Sequence, residues 1–213
     1  MMKRTRNLLV VAGLVALAGG GVWLWEEVLE DRLIPKRWGV VEVDEIYRSG
    51  QLHPALVEAT LRDHEIKVIV DLNQHEVNND AQRAEERAAE TLGIERILFP
   101  LSGDGTGDIE QYAQAIRRMH EARHDDQAVL VHCSAGVYRT GGVVAMYRVL
   151  VEGWTPERAR AEMIDFHWDE DDPKLPRYLN ENLATLASRL VELGVLTQVP
   201  DPLPRFPESS TSE

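Results

Sequence analysis

Two apolar stretches flank a loop of small residues in QAVLVHCSAGVYRTGGVVAMYRVLVEG, residues 127–153. The first stretch is short and apolar throughout, which is typical of a strand buried on both faces. The second is long and almost free of charge, so it predicts a helix in the centre of the molecule rather than on its surface. A buried strand that leads directly into a buried helix requires a layered α/β arrangement.

The same alternation of strand and helix runs through most of the chain. Strands are predicted in residues 38–52, 67–73, 95–101 and 127–133. Helices are predicted in residues 53–66, 78–94, 107–122, 140–153, 155–166 and 178–193. We therefore predict an α/β fold with a central, mostly parallel sheet flanked by helices, in which ligands bind beyond the carboxyl ends of the strands.

The two ends of the chain differ from this pattern. Residues 8–25 form an uncharged run of 18 residues that follows basic residues and precedes acidic ones, so residues 1–30 are predicted to be a membrane anchor or a cleaved signal peptide. Either version places the domain, residues 31–199, on the outer, periplasmic-type side, with the membrane as a partner if the anchor is retained. Residues 200–213 are rich in proline and serine, which predicts a disordered tail.

Charge and cysteine content exclude several kinds of function. The formal net charge of −13 makes nucleic acid an unsuitable partner. The single cysteine, Cys133, excludes an intramolecular disulfide and a zinc site built from several cysteines. We expect no metal and no cofactor.

The loop that starts at Cys133 has the composition of an anion-binding site. Its backbone N–H groups, together with the start of the following helix, can form a cradle for an oxyanion. Arg139 can bind two oxygens of that anion, and Thr140 can hydrogen-bond the sulfur. His132 is expected to shape the loop rather than to act as a base. A thiolate in such a cradle is suited to attack phosphorus.

The loop HCSAGVYRTG resembles the His-Cys-x5-Arg-Thr signature of cysteine-dependent protein tyrosine phosphatases, in the dual-specificity branch. The resemblance extends over about residues 40–170 and implies that Cys133 is the nucleophile that forms a cysteinyl-phosphate. Arg139 would stabilise the transferred phosphoryl group, and Thr140 would tune the thiolate, with His132 in a supporting position. Phosphate would be bound by the backbone of Ser134, Ala135, Gly136, Val137, Tyr138 and Arg139.

The same resemblance implies an aspartate as general acid, on the loop after the preceding strand. The segment PLSGDGTGDIEQY offers two candidates. Asp108 is placed to cap the following helix, whereas Asp104 lies between glycines in a loop that can move. We therefore predict Asp104 as the acid, with Asp108 as the alternative.

Several alternatives remain open. The substrate is predicted to be a protein phosphorylated on tyrosine, and also on serine or threonine. The variable loop positions carry no positive charge, which argues against a very highly charged substrate. A small phosphorylated metabolite or an inositol phosphate is the alternative. A non-catalytic phosphate-binding module and a sulfurtransferase are the rival functions. Arg48, in YRSGQ, is expected to form a structural ion pair, and the acidic run in residues 166–173 is expected to be a solvated turn rather than a cation site.

Overall fold

A computed structural model describes residues 30–208. The helices are α1 (Glu30–Leu33), α2 (Val57–Asp63), α3 (Asp80–Leu92), α4 (Ile109–His124), α5 (Tyr138–Leu150), α6 (Pro156–Asp165) and α7 (Lys174–Glu192). The strands are β1 (Gly39–Glu42), β2 (Ile46–Ser49), β3 (Ile66–Asp71), β4 (Glu95–Leu98) and β5 (Ala128–His132). Each predicted strand region and helix therefore has a counterpart in the structure.

The five strands form one mixed sheet in the order β1-β2-β5-β3-β4. Strand β1 pairs with β2 in an antiparallel hairpin, and β2, β5, β3 and β4 pair in parallel. The prediction of a mostly parallel sheet flanked by helices is confirmed. Strand β5 lies in the centre, so its carboxyl end, where Cys133 follows, is surrounded by the ends of β2 and β3.

Side chains of β5 alternate between two hydrophobic cores, one on each face of the sheet. Val129 and Val131 pack in the larger core with α4, α5 and α7. Leu130 points into the smaller core, which α2 and α3 cover. Helix α5 is buried from Thr140 to Leu150, as its apolar composition predicts. The loop between β5 and α5 is thus fixed at both of its ends by fully buried elements.

The predicted anchor or signal segment, residues 1–30, lies outside the described residues apart from Glu30 at the start of α1. None of the helices within residues 30–208 is both long enough and apolar enough to cross a membrane.

The tail differs from the disorder that its composition predicts. Phe206 is buried in the larger core. The side chain of Asn180 on α7 accepts a hydrogen bond from the Phe206 backbone N–H at 2.8 Å and donates one to its carbonyl at 3.0 Å. The buried Phe206 side chain and its two hydrogen bonds with Asn180 therefore order residues 200–208 despite the prolines. Residues 209–213 lie outside the described part of the chain.

Candidate active site

The loop from Cys133 to Val137 connects the carboxyl end of β5 to the first turn of α5. The segment after neighbouring strand β2 supports it, because the N–H of Gln51 donates to the Ser134 carbonyl at 3.1 Å. Helix α5 begins without a side-chain cap at Val137. The N–H groups of its first turn have no partner within the helix and are available to an anion.

The Cys133 sulfur lies inside this loop and accepts a hydrogen bond from the Gly136 N–H at 3.2 Å. Burial opposes ionisation of the thiol, but Thr140, the charge of Arg139 and the Gly136 N–H together lower the pKa of Cys133. The Thr140 hydroxyl is buried and has no hydrogen-bond partner within residues 30–208. The loop thus favours the thiolate, which is the nucleophilic form of cysteine.

Arg139 reaches back over the loop from the first turn of α5. Its guanidinium donates to the Ser134 hydroxyl at 3.1 Å and, at 3.4 Å, to the carbonyl of Leu72 after β3. The Ser134 hydroxyl in turn donates to the side chain of Asn73 at 2.7 Å. These contacts hold a planar cation beside Cys133, in a position suited to a bidentate grip on a phosphoryl group.

His132 belongs to a buried charge network below the loop, which sequence reasoning did not predict. Its Nε2 lies 3.1 Å from Glu85 of α3 and 3.9 Å from Asp71 at the end of β3. Arg96 of β4 pairs with the same two carboxylates. Burial alone would lower the pKa of His132, but Glu85 and Asp71 outweigh it and raise that pKa to about 9. The surroundings of the ring therefore favour its protonated form, in keeping with the supporting position predicted for His132.

Asp71, Glu85 and His132 also form a group whose ligand atoms lie within 4.8 Å of one another, which is a spacing that suits a metal ion. Their donor set argues against that use. Both carboxylates are already neutralised by Arg96 and by the protonated imidazole, and a metal would have to displace these two cations. The group is better described as two ion pairs that position the residue before Cys133.

The charge on His132 predicts how stability depends on pH. A histidine whose pKa rises on folding stabilises the protein below its unfolded pKa, about 6.5, and this contribution is lost as the pH rises through about 9. We expect the wild-type melting temperature to fall over this interval relative to that of His132→Gln. Calorimetric melts of both proteins between these pH values would check this. Parallel pH profiles of the two proteins would contradict a charged His132.

The two candidate acids have different local hydrogen bonds. Asp108 caps α4 by accepting a hydrogen bond from the Glu110 N–H at 2.9 Å. Asp104 lies in the preceding loop and accepts hydrogen bonds from the Thr106 hydroxyl at 2.7 Å and the Thr106 N–H at 3.2 Å. These bonds lower the pKa of Asp104, and a phosphoryl dianion bound beside it would raise that pKa again.

The Asp104 loop is packed against the start of α5, directly after the loop of Cys133. A Cβ atom added at Gly105 would lie 2.9 Å from the carbonyl oxygen of Tyr138. The buried phenol of Tyr112 donates a hydrogen bond to the Gly105 carbonyl from α4. The predicted general acid and the predicted nucleophile are therefore carried by two neighbouring segments in direct contact.

Tyr138, the last variable position of the signature, lies beside the acidic run that precedes α7. Burial, the charges of Asp172 and Asp169, and a hydrogen bond with Asp172 raise the pKa of its phenol. The acidic run is a turn, as expected, because Asp169 and Asp172 accept hydrogen bonds from the backbone two residues ahead. Negative charge thus borders the loop at Tyr138.

Comparison with known proteins agrees with this geometry. A family model described as a DSP-PTPase phosphatase fused to NAD+ kinase matches residues 39–193. The chain belongs to this phosphatase family. This membership confirms the resemblance to phosphatases of the protein-tyrosine-phosphatase type that is seen in the sequence.

Individual relatives cover less of the chain. The dual specificity protein phosphatase TpbA of Pseudomonas aeruginosa is 36% identical over 77 residues in one strain and 38% identical over 79 residues in another. Each match covers 36% of this chain, and 34% and 35% of the respective relatives, so the chain spans about a third of their length.

Solved structures share the fold over a larger part of the chain than the sequence matches do. The crystal structure of P. aeruginosa TpbA has a TM-score of 0.59 at 22% identity and covers 75% of this chain and 91% of its own. The catalytic core of the PP-IP phosphatase Siw14 from S. cerevisiae has a TM-score of 0.57 at 20% identity, covering 81% and 98%. At these identities, the similarity establishes the common fold and not a common substrate.

Within this phosphatase fold, replacing Asp104 by asparagine tests its predicted role as general acid. We expect hydrolysis of a phosphate ester with a poor leaving group to fall by about 10²–10⁴-fold, because that group then departs without a proton. Hydrolysis of an ester with a good leaving group should fall much less. Steady-state rates on alkyl and para-nitrophenyl phosphates would measure the difference.

Asp108→Asn is the matched control, because asparagine caps a helix as well as aspartate does. It should leave both rates and the melting temperature near their wild-type values. If Asp108→Asn instead abolished turnover of the poor leaving group and Asp104→Asn did not, the two predicted roles would have to be exchanged.

Two features of the site were missed by sequence reasoning. The first is the buried network around Glu85 and Arg96, whose only sequence signal is the position of Glu85 next to the apolar stripe of α3. The second is Arg48, for which the sequence predicts an ion pair. Arg48 makes no salt bridge with any residue of the described chain; it lies under the loop instead, where it contacts Gly136 and Phe166.

Proposed function

We propose that this phosphatase acts on phosphorylated proteins through a cysteinyl-phosphate intermediate, and that phosphotyrosine is its preferred substrate. In this proposal Cys133 attacks phosphorus, and Arg139 and the loop N–H groups hold the phosphoryl oxygens. Asp104 protonates the leaving oxygen. Water then attacks the cysteinyl-phosphate, which releases phosphate and regenerates the thiolate.

The observation that carries the choice of substrate is the negative charge beside Tyr138, whereas Arg37 donates a hydrogen bond to the Ala135 carbonyl elsewhere on the loop at 2.9 Å. The variable positions from Ser134 to Tyr138 contribute no cation, and Tyr138 is bordered by Asp169 and Asp172. A substrate with several phosphate groups would place its additional charges against these carboxylates, and like charges at close range repel each other. A single phosphotyrosine with basic or neutral neighbours avoids that repulsion.

A comparison of substrates in the presence of chelator and reductant tests this proposal. We expect a higher kcat/KM for phosphotyrosine peptides with lysine neighbours than for the same peptides with glutamate neighbours. Both should be hydrolysed faster than an inositol polyphosphate. A preference for the inositol polyphosphate would overturn the proposal.

An Asp172→Asn variant tests whether the acidic residues beside Tyr138 cause the preference for peptides with lysine neighbours. Removing this charge should narrow the difference between the lysine and glutamate peptides. Glu90→Gln makes the same change of charge near the end of α3, away from the acidic run, and should leave the preference unchanged. Equal effects of both variants would mean that only the overall charge matters.

The inference about the cellular location of the enzyme depends on residues 1–30 alone. We propose that this segment exports the domain and holds it at the outer face of a membrane or is cleaved there. Expression of the full chain, followed by fractionation and by protease treatment of intact spheroplasts, would test it. Recovery of the whole, protease-protected chain in the cytosolic fraction would refute the proposal.

A further inference from the structure

Arg48 is a buried cation that has no role in the proposed reaction of Cys133, Arg139 and Asp104. It lies on β2 with 1% of its surface exposed. Its Nη2 donates to the Gly136 carbonyl in the Cys133 loop at 3.2 Å, while Nε and Nη1 have no hydrogen-bond partner within the described chain. An arginine buried in this way is strongly unfavourable unless some other group compensates its charge.

The surroundings of Arg48 are built to hold a guanidinium. The ring of Phe166, at the end of α6, lies 3.7 Å from the guanidinium carbon in a cation–π contact. Gly39 on β1 makes room for this stack, because a Cβ atom there would lie 2.3 Å from the ring and 3.2 Å from the Arg48 side chain. Gly141 of α5 also lies against the guanidinium, since a Cβ atom there would lie 3.9 Å from Nη2.

The carboxylate that acts most strongly on Arg48, Glu162, is shared with a second arginine. Glu162 of α6 is bound in a bidentate pair by Arg148, with distances of 3.0 and 2.8 Å. Burial lowers the pKa of Arg48 to about 10, and the negative charges that oppose this are Glu162 and the Cys133 thiolate. Arg148 also binds Glu152 at 2.7 Å, so its charge is shared between two carboxylates. Arg48 is therefore compensated by Glu162 and by the Cys133 thiolate, which lies in the loop that Arg48 contacts at Gly136.

We propose that Arg48 is a positioning residue of the active site, a second cation that stabilises the Cys133 thiolate from below and fixes the loop through Gly136. Arg139 binds the phosphoryl group from the open side, whereas Arg48 is fully enclosed and never touches substrate. Because its charge cannot be screened by solvent, its effect on the thiolate persists in high salt. This proposal rests on the cysteine chemistry of the site but not on the identity of the substrate.

The other charged or titratable groups that act on Cys133 come from three elements. They are Arg139 of α5, His132 of β5 and Tyr112 of α4. None of them is altered in the variants below, so a change in thiolate ionisation reports on Arg48. Substitution by glutamine removes the charge but keeps a donor for Gly136, and substitution by lysine keeps the charge.

The test measures the rate of alkylation by iodoacetamide as a function of pH. This measurement needs no substrate, and it reports on Cys133 because the chain has one cysteine. In Arg48→Gln we expect the midpoint of the profile to rise by about one pH unit or more, the effect of losing a nearby opposite charge. In Arg48→Lys the midpoint should stay near that of the wild type. The midpoints of the alkylation profiles of both variants, relative to the wild type, should be the same at low and high salt.

Arg158→Met is the control, because Arg158 also stacks on an aromatic ring, that of Trp154 at 3.3 Å, but is exposed. Its profile should match the wild type. Near-ultraviolet circular dichroism establishes that each variant is folded, and Arg48→Met replaces Arg48→Gln if the latter unfolds. An unchanged midpoint in a folded neutral variant, or a lysine variant shifted as far as the neutral one, would overturn the proposal. Neither outcome depends on which phosphoester the enzyme hydrolyses.

Discussion

Replacement of Cys133 by serine is expected to reduce hydrolysis of para-nitrophenyl phosphate by on the order of 10⁶-fold, as loss of the nucleophile does in other hydrolases. A serine hydroxyl ionises far less readily than a thiol. The adjacent imidazole is not free to activate it, because His132 is engaged with Glu85. Single-turnover and steady-state assays in chelator would measure the loss.

The same variant should remain folded and should still bind phosphate or vanadate. Serine is close to cysteine in shape, and the Gly136 N–H that donates to the sulfur can donate to an oxygen. Arg139 and the first turn of α5 are unchanged. Rapid quenching of the wild type should trap a phosphoenzyme on Cys133. Substantial turnover by the serine variant would exclude the cysteinyl-phosphate route.

The second large effect is expected for Gly136→Ala. Gly136 has a φ of 76°, and a Cβ atom there would lie 2.6 Å from the Gly50 backbone nitrogen and 2.8 Å from the Ser49 carbonyl oxygen. The left-handed conformation and the overlap with backbone atoms should together cost about 2–5 kcal/mol of unfolding free energy. Because the loop must shift, the N–H groups lose their alignment and activity should be largely lost.

The Gly153→Ala variant distinguishes the strain of the left-handed conformation from the overlap of a Cβ atom with neighbouring backbone atoms. Gly153 has a similar φ of 71°, but a Cβ atom there has nothing within 4 Å. Its variant should cost only about 1–2 kcal/mol, the strain of the left-handed conformation alone, and should keep full activity. Denaturant unfolding and turnover of both variants would measure this. Equal destabilisation by the two substitutions would show that the contact with Gly50 is unimportant.

The sequence alone determined the architecture and the centre of the site. Apolar runs of strand length that alternate with helical patterns can be buried only as a covered, mostly parallel sheet. The loop after β5 follows from its own residues, because Cys133, Gly136, Arg139 and Thr140 lie close together in the chain and are brought together by one turn. Asp108 was recognisable as a cap for the same reason, since a cap is a local interaction.

Only the tertiary structure decided which distant charges support that loop. Arg48 precedes Gly136 by 88 residues, and Glu85 and His132 come from α3 and β5; the order of the parallel strands brings them together. Glu85 lies next to the apolar stripe of α3, but no local pattern shows that its carboxylate is paired with His132 and Arg96. Phe206 is ordered by Asn180 on a helix distant in sequence. Local patterns fix local geometry, whereas compensation of buried charge depends on contacts that exist only after the chain has folded.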